Sequence, residues 1–169
     1  MVDVVSVPVT VKHRIGIDQI ESYDFVRDFV GTVKEAGCNV FIVHTRNAWL
    51  QGLSPKENRE IPPLRYELAY QLKKDFPELT IAINGGITRN DQIADHLKEV
   101  DGVMIGREAY YNPWLLTTWD EAFFNSTESS ITREPVEEAM VTYMERANKE
   151  DGCPWYAIAR HMLGLYHGQ

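Results

Sequence analysis

The sequence lacks any run of 18 apolar residues, has only two cysteines, and shows no histidine, cysteine or carboxylate cluster with metal-ligand spacing. The first absence argues against a transmembrane helix. The N-terminus has neither a basic region nor a small-residue cleavage site, so it is not read as a signal peptide. Cys38 and Cys153 form no disulfide framework, and we expect both to be reduced packing residues. Together these absences predict a cytoplasmic protein without a metal or membrane partner.

Positive charge is also scarce, because 17 lysines and arginines face 25 acidic residues and leave a net charge of −8. Taken alone, this balance argues against a nucleic-acid partner. Two local clusters soften the objection: Lys12 lies beside His13 and Arg14, and Lys56 lies near Arg59 and Arg65. A local basic patch is able to contact a phosphate backbone while the remaining surface stays acidic.

Strand and helix patterns alternate along most of the chain. Short runs rich in β-branched and apolar residues predict strands at 7–13, 40–44, 80–83 and 102–105. Helical patterns follow them at 22–36, 64–76, 90–100 and 114–124. Regular alternation predicts a parallel sheet. Four units are compatible with a small doubly wound sheet or with the C-terminal half of a (β/α)8 TIM barrel, a fold of about 250 residues.

The pattern changes after residue 124. Residues 125–134 are polar and predict a linker, and 135–150 and 155–166 predict two helices with no strand between them. This divides the chain into an α/β domain at 1–124, the linker, and the start of an all-helical domain at 135–169. A further feature is the irregular stretch 45–63, whose length predicts a functional loop.

Polar residues follow every predicted strand, where α/β folds place their ligands. The four strand ends carry Lys12-His13-Arg14, His44-Thr45-Arg46, Asn84-Gly85-Gly86 and Gly106-Arg107. Paired glycines let a backbone approach a phosphate, and an arginine adds a fixed positive fork. The glycines are equally compatible with a tight turn, Lys12 with a solvent-facing residue, and His44 with a hydrogen-bonded structural residue.

Several longer segments resemble one enzyme family. VPVTVKHRIG, FIVHTRNAWLQGLSPKENREIPPL, IAINGGI, DGVMIGREAYYNPW and ARHMLGLYHG are similar, in this order, to the bacterial tRNA-dihydrouridine synthases of the A-type subfamily. The resemblance covers nearly the whole chain. The SPKENREIPPL and RHMLGLY segments are its most specific parts, because the NGG and GR motifs alone fit many FMN-binding barrels.

The resemblance implies a (β/α)8 barrel with FMN at its mouth and a helical domain that contacts tRNA. It implies that NADPH reduces FMN, and that a uridine in the D-loop of tRNA is then reduced to 5,6-dihydrouridine. Lys12 and His44 would contact the flavin. The phosphate end would be held by Asn84, Gly85, Gly86, Gly106 and Arg107. RNA contacts would come from Arg46, Lys56, Asn58 and Arg59.

One departure from the family is large. The family's catalytic cysteine lies in an Asn-x-Gly-Cys-Pro motif, which this sequence lacks, and Cys38 and Cys153 have neither its context nor its position. We therefore expect a C-terminal fragment that is inactive alone and that self-associates through open barrel edges. The alternatives are another FMN-dependent TIM-barrel oxidoreductase, a phosphate-handling barrel lyase or synthase, and a non-catalytic half-barrel that binds phosphate or FMN.

Overall fold

The computed structural model describes residues 2–127 and 131–168. Its strands are β1 (Thr10–Arg14), β2 (Val40–His44), β3 (Thr80–Asn84) and β4 (Gly102–Met104). Its α-helices are α1 (Tyr23–Glu35), α2 (Tyr66–Asp75), α3 (Asn90–His96), α4 (Arg107–Tyr111), α5 (Trp119–Phe124), α6 (Arg133–Asp151) and α7 (Trp155–Ala159). Short 3₁₀ helices lie at Val2–Val4, Glu57–Arg59, Pro113–Thr118 and Leu163–Tyr166. All four predicted strands are confirmed, with small shifts at their ends.

Local signals explain both ends of α1. The Ser22 side chain accepts a hydrogen bond from the Phe25 N–H and caps the start of α1. Gly37 follows the end of α1 with a φ of +92°, the left-handed conformation that commonly stops a helix. Helix α3 begins at Asn90, the first residue of the predicted helix, and Arg89 is the extended residue before it.

The four strands form one parallel sheet in the order β1-β2-β3-β4. Each strand therefore pairs with the next one in the sequence, and every crossover runs in the same direction. Right-handed crossovers then place the intervening helices on one face of the sheet. A doubly wound sheet instead reverses its strand order to cover both faces. The observed order is that of consecutive strands in a barrel wall, and it removes the doubly wound alternative.

The two faces of the sheet differ in burial. Phe41 and Val43 of β2 and Ile81 and Ile83 of β3 are fully buried. They form a core with apolar residues of the three covering helices, namely Val26, Val30, Leu68, Leu72 and Ile93. The alternate residues of each strand point to the opposite face, which we call the inner face. The inner face is only partly buried, and it carries the candidate site.

His13 lies in the helix-covered layer. Its ring packs 5.0 Å from the Phe29 ring and 6.1 Å from the Phe41 ring, centroid to centroid. Its Nδ1 lies 2.9 Å from the Arg14 carbonyl, and its Nε2 has no hydrogen-bond partner among the described residues. Burial lowers the pKa of His13 below its usual range, and the positive charge of Lys12 adds to this effect.

A stability measurement tests this environment. The folded state binds a proton on His13 less readily than the unfolded chain does. The free energy of unfolding therefore decreases as the pH falls below the unfolded pKa of about 6.5. We expect His13→Phe to flatten the decrease in unfolding free energy between pH 7.5 and 5.5, measured by urea titration. The same substitution at the exposed His167 is the control. An unchanged slope in His13→Phe would contradict the assignment.

Contacts divide the chain into one compact unit at Met1–Ile105 and a second at Gly106–Gln169. In the described part of the second unit, Met144, Ala147 and Ile158 form a small core. The Arg133 guanidinium lies 4.2 Å from the Trp114 ring centroid and donates from Nε to the Leu165 carbonyl. Helix α6 begins at Arg133, two residues before the predicted start of this helix at 135, and residues 128–130 of the predicted linker lie outside the described residues.

Two predicted helices of the second unit are interrupted. The helix predicted at 114–124 begins as a 3₁₀ helix, in which the Thr117 and Thr118 hydroxyls bond to carbonyls three residues earlier. The helix predicted at 155–166 ends at Ala159 and resumes as a 3₁₀ helix. Gly164 approaches the 110–113 segment so closely that an added Cβ would lie 2.7 Å from the Tyr110 carbonyl oxygen.

No described helix combines the length and apolar character that crossing a membrane requires. Likewise, residues 2–127 and 131–168 contain no group of three or more histidine, cysteine or carboxylate side chains placed to hold a metal ion.

Candidate functional site

A row of polar side chains lies on the inner face at the carboxyl end of the sheet. Strand pairing aligns Arg14 with His44, His44 with Asn84, and Asn84 with Met104. In parallel strands, paired residues point to the same face. Lys12 lies on this face too, two residues before Arg14. The strand register therefore brings Lys12, His44 and Asn84 to one edge of the sheet, as predicted.

Asn84 connects the row by its side chain. The Lys12 Nζ donates to the Asn84 Oδ1 at 3.0 Å, and the Asn84 Nδ2 donates to the Met104 carbonyl at 2.7 Å. Both ends of the amide are used, which fixes its orientation. Burial lowers the pKa of Lys12, and the nearby charge of Arg14 lowers it further. An anion placed beside this amine would stabilise its charged form and raise the pKa of Lys12 again.

Gly85 and Gly86 form a turn after β3 that only glycine adopts easily, with φ values of +120° and +68°. The turn is tightly packed on one side. A Cβ added to Gly85 would lie 2.8 Å from the His44 Cδ2, and one added to Gly86 would lie 2.6 Å from the Leu64 Cδ1. Gly85 is buried, whereas Gly86 is exposed. The tight-turn explanation is thus correct, and the exposed side of Gly86 remains open to a ligand.

Arg14 lies beside the row, within electrostatic reach of Arg46 and Arg59. Arg14 donates from one nitrogen to the carbonyls of Asn47 at 2.7 Å and Asn58 at 2.8 Å. Its pKa is lowered first by burial and then by the charges of Arg46 and Arg59. Arg46 in turn donates to the carbonyls of Glu60 and Pro62. The mutual repulsion of these cations makes the region favourable for a phosphate.

The 45–63 loop is ordered by its own polar groups, and Glu57–Arg59 is its one described helical turn. The Asn58 side chain accepts from the Trp49 N–H at 2.8 Å and donates to the Trp49 carbonyl at 2.7 Å. This use of the amide favours a structural role for Asn58 over the RNA contact predicted for it. Lys56 and Arg59 are exposed, as RNA contacts must be.

Two residues of the site, Arg14 and Tyr66, had no predicted role in it. Strand alternation places Arg14 on the same face as Lys12, but does not predict its bonds to the loop. An aromatic residue at the start of the predicted helix 64–76 is expected to pack against the sheet, whereas the Tyr66 hydroxyl donates to the Gly85 carbonyl at 2.6 Å. Nothing in a single sequence signals that contact, because the two residues are 19 positions apart and lie on different elements.

Arg14 is expected to hold the loop in place. Arg14→Leu removes both bonds to the Asn47 and Asn58 carbonyls, and each lost bond to a charged donor is worth about 1.5–3 kcal/mol. We expect faster hydrogen exchange across 45–63 with little change in α1. The control, Arg27→Leu, removes an exposed arginine that pairs with Asp24 and Asp28. Loop exchange that is equal in the two variants would refute this role.

Gly106 and Arg107 belong to the second unit, where Gly106 precedes α4 and Arg107 is its first residue. Apart from its two chain neighbours, no described residue has an atom within 4 Å of a Cβ built on Gly106, so packing does not require glycine there. Arg107 is exposed. Their assignment to a phosphate stays a prediction.

Comparison with known proteins identifies the family. The family model described as "Dihydrouridine synthase (Dus)" matches residues 1–169. A Shewanella oneidensis protein named tRNA-dihydrouridine(20/20a) synthase is 55% identical over 99% of this chain and 50% of its own length. Proteins of the same name from Synechocystis sp. and Escherichia coli are each 54% identical, over 98% and 99% of this chain and 49% of their own lengths. The chain thus spans about half the length of the curated relatives it matches. It belongs to the dihydrouridine synthase family.

Proposed function

We propose that this chain supplies the C-terminal half of an FMN-binding (β/α)8 barrel, and that the complete barrel reduces uridine in tRNA to 5,6-dihydrouridine with NADPH. The observation that carries the proposal is the inner-face row, in which Lys12, His44 and Asn84 converge beside a glycine turn. The relatives named for dihydrouridine at tRNA positions 20 and 20a support the same substrate.

The residues present fit FMN on two grounds. The Lys12 amine and the Arg14 guanidinium supply positive charge on the inner face, and each carries a lowered pKa that a bound anion would relieve. The exposed, positive-φ Gly86 lets a phosphate approach the backbone closely. Bound FMN would supply hydride chemistry, taking a hydride from NADPH and giving it to the uracil C6.

Each protein residue then has a defined task. Lys12, oriented by Asn84, would stabilise negative charge on the reduced flavin ring. His44 contacts the flavin and also packs against the glycine turn. Asn84, Gly85 and Gly86 hold the phosphate end, with Gly106 and Arg107 as further phosphate contacts.

Contacts to tRNA are assigned to Arg46, Lys56 and Arg59, with Asn58 shaping the loop that presents them. Residues 135–169 are assigned to a helical domain that also contacts tRNA, after the α/β domain at 1–124 and the linker at 125–134. We further propose a cytoplasmic location, where tRNA is modified.

The proton for uracil C5 is not assigned to this chain. The Cys38 thiol is buried and lies 3.5 Å from the carbonyls of Val9 and Val40, at the amino ends of β1 and β2. Cys153 packs in the small core of the second unit. Neither is placed near the inner-face row by its own contacts, so we expect no dihydrouridine formation by the 169-residue chain alone.

A flavin titration tests the proposed cofactor site. FMN and riboflavin share the ring system, and only FMN carries a phosphate. We expect the chain to bind FMN at least about tenfold more tightly than riboflavin, since one charge-assisted contact is worth about 1.5–3 kcal/mol. Quenching of flavin fluorescence measures both affinities. Equal affinities, or no binding of either flavin, would remove the phosphate assignment.

We also propose that the chain self-associates through its sheet edges. β1 and β4 stand at the ends of the strand order, and each carries unpaired backbone groups on its outer side among the described residues. Light scattering should show dimers or larger species. A monodisperse, stable monomer would contradict this.

A further inference from the structure

The Gly85-Gly86 turn is held from the side of α2. The Arg65 N–H donates to the Thr45 carbonyl at 2.8 Å, which fixes the start of α2 beside the end of β2. Tyr66 is the first residue of α2, and its hydroxyl donates to the Gly85 carbonyl at 2.6 Å. Leu64 fills the space under the same turn.

The hydrogen bond from Tyr66 to the Gly85 carbonyl also fixes the direction of the Gly86 N–H. The Gly85 carbonyl and the Gly86 N–H belong to one peptide unit, and the described chain has no cis peptide bond. In a trans unit the C=O and N–H point in opposite directions. Because the carbonyl points at the Tyr66 hydroxyl, the Gly86 N–H points away from it. Gly86 is also the exposed residue of the turn.

Tyr66 itself is held firmly. Its ring packs against the His96 ring with centroids 4.4 Å apart, and the Tyr70 hydroxyl lies 2.7 Å from the His96 Nδ1. Burial raises the pKa of Tyr66, so its hydroxyl stays protonated at neutral pH and remains a donor. Two tyrosines one helical turn apart thus differ in one respect that matters. Tyr66 bonds to the glycine turn, whereas, within the part of the chain that the structure describes, the Tyr70 hydroxyl bonds to His96.

We propose that Tyr66 is a positioning residue for the flavin phosphate. Its hydroxyl donates a hydrogen bond to the Gly85 carbonyl and thereby orients the Gly86 N–H toward the phosphate. This inference rests on the proposed FMN site and assigns that site a residue outside the motifs. The hydroxyl touches no ligand atom. It acts by fixing the peptide plane, so that the amide dipole is already aligned when the anion arrives.

The test compares Tyr66→Phe with Tyr70→Phe in the 169-residue chain. Tyr66→Phe keeps the ring against His96 and removes only the hydroxyl, so the fold is retained. We expect it to weaken FMN binding about five- to tenfold, the effect of one hydrogen bond, and to leave riboflavin binding within about twofold. Tyr70→Phe should leave the affinities for both flavins within about twofold.

A second readout needs no ligand. The ¹⁵N resonance of an amide responds to a hydrogen bond on the carbonyl of the same peptide unit. Tyr66→Phe should therefore shift the Gly86 resonance, leaving that of Gly52, a positive-φ glycine with no atom within 4 Å of its added Cβ, unchanged. An unshifted Gly86 resonance would overturn the inference.

The outcomes separate the two claims. If the unsubstituted chain prefers FMN over riboflavin and Tyr66→Phe keeps that preference, the positioning role is wrong and the proposed site stands. If Tyr66→Phe weakens both flavins equally, the tyrosine supports the fold and not the phosphate, which also overturns the inference. If the unsubstituted chain shows no preference for FMN, the proposed site itself fails and the inference falls with it.

Discussion

Gly85→Ala is expected to lower the free energy of unfolding by about 2–4 kcal/mol and to abolish FMN binding. Two costs add at this position. A φ of +120° lies outside the left-handed region that other residues enter, and an added Cβ would meet the His44 ring at 2.8 Å and Leu64 at 3.0 Å. Moving His44 aside would also disturb the inner-face row. Urea unfolding and flavin fluorescence measure the two effects.

Gly52→Ala is the matched control for backbone strain. Gly52 has a φ of +83°, and nothing lies within 4 Å of its added Cβ. Its substitution should cost about 1 kcal/mol from the left-handed backbone alone and leave FMN affinity unchanged. Equal losses of stability in the two variants would show that the turn is not packed as described. Retained FMN affinity in Gly85→Ala would separate the turn from the flavin site.

Lys12→Met is expected to have the largest effect on the flavin itself. A cation beside the ring stabilises the negative charge gained on reduction, and Lys12 is exposed, so solvent screens part of this effect. We expect the midpoint potential of bound FMN to fall by about 30 mV, which corresponds to about 1.4 kcal/mol for two electrons. The free energy of unfolding should change by less than about 0.5 kcal/mol, because the side chain is at the surface.

Lys98→Met is the control for removing a surface lysine. Lys98 is exposed, lies two residues after the end of α3, and pairs with Asp95 at 2.7 Å. Its substitution should leave the potential unchanged. Spectroelectrochemistry of the FMN-loaded protein measures both variants. A potential in Lys12→Met equal to that of the unsubstituted protein would place Lys12 away from the flavin.

The strand ends show what a single sequence is able to predict. β-branched runs separated by helical patterns fix the strands to within a few residues, and alternation then fixes which side chains share a face. These two signals were enough to predict that Lys12, His44 and Asn84 lie at the same edge of the sheet. The four β-α units alone left the strand order open between a barrel wall and a doubly wound sheet, and only the family resemblance favoured the barrel.

The contacts that hold the site were less predictable. The family resemblance implied an RNA contact for Asn58, yet its amide is used within the loop. Tyr66 looked like packing because tyrosines on helices usually pack, yet its hydroxyl meets a glycine carbonyl. Both depend on distances between segments that are remote in sequence, and helical or strand periodicity carries no information about such distances. The split of the helix predicted at 155–166 is likewise not visible in its periodicity.

Activity of a completed barrel tests the central claim most directly. The half of the Shewanella oneidensis relative that precedes the matched region would be joined before Met1, and the hybrid would be incubated with NADPH and unmodified tRNA. The full-length relative serves as the positive control, and the flavin content of the hybrid reports whether it has folded. We predict dihydrouridine at position 20 or 20a with the hybrid and none with the 169-residue chain alone. A flavin-loaded hybrid that forms no dihydrouridine would contradict the account.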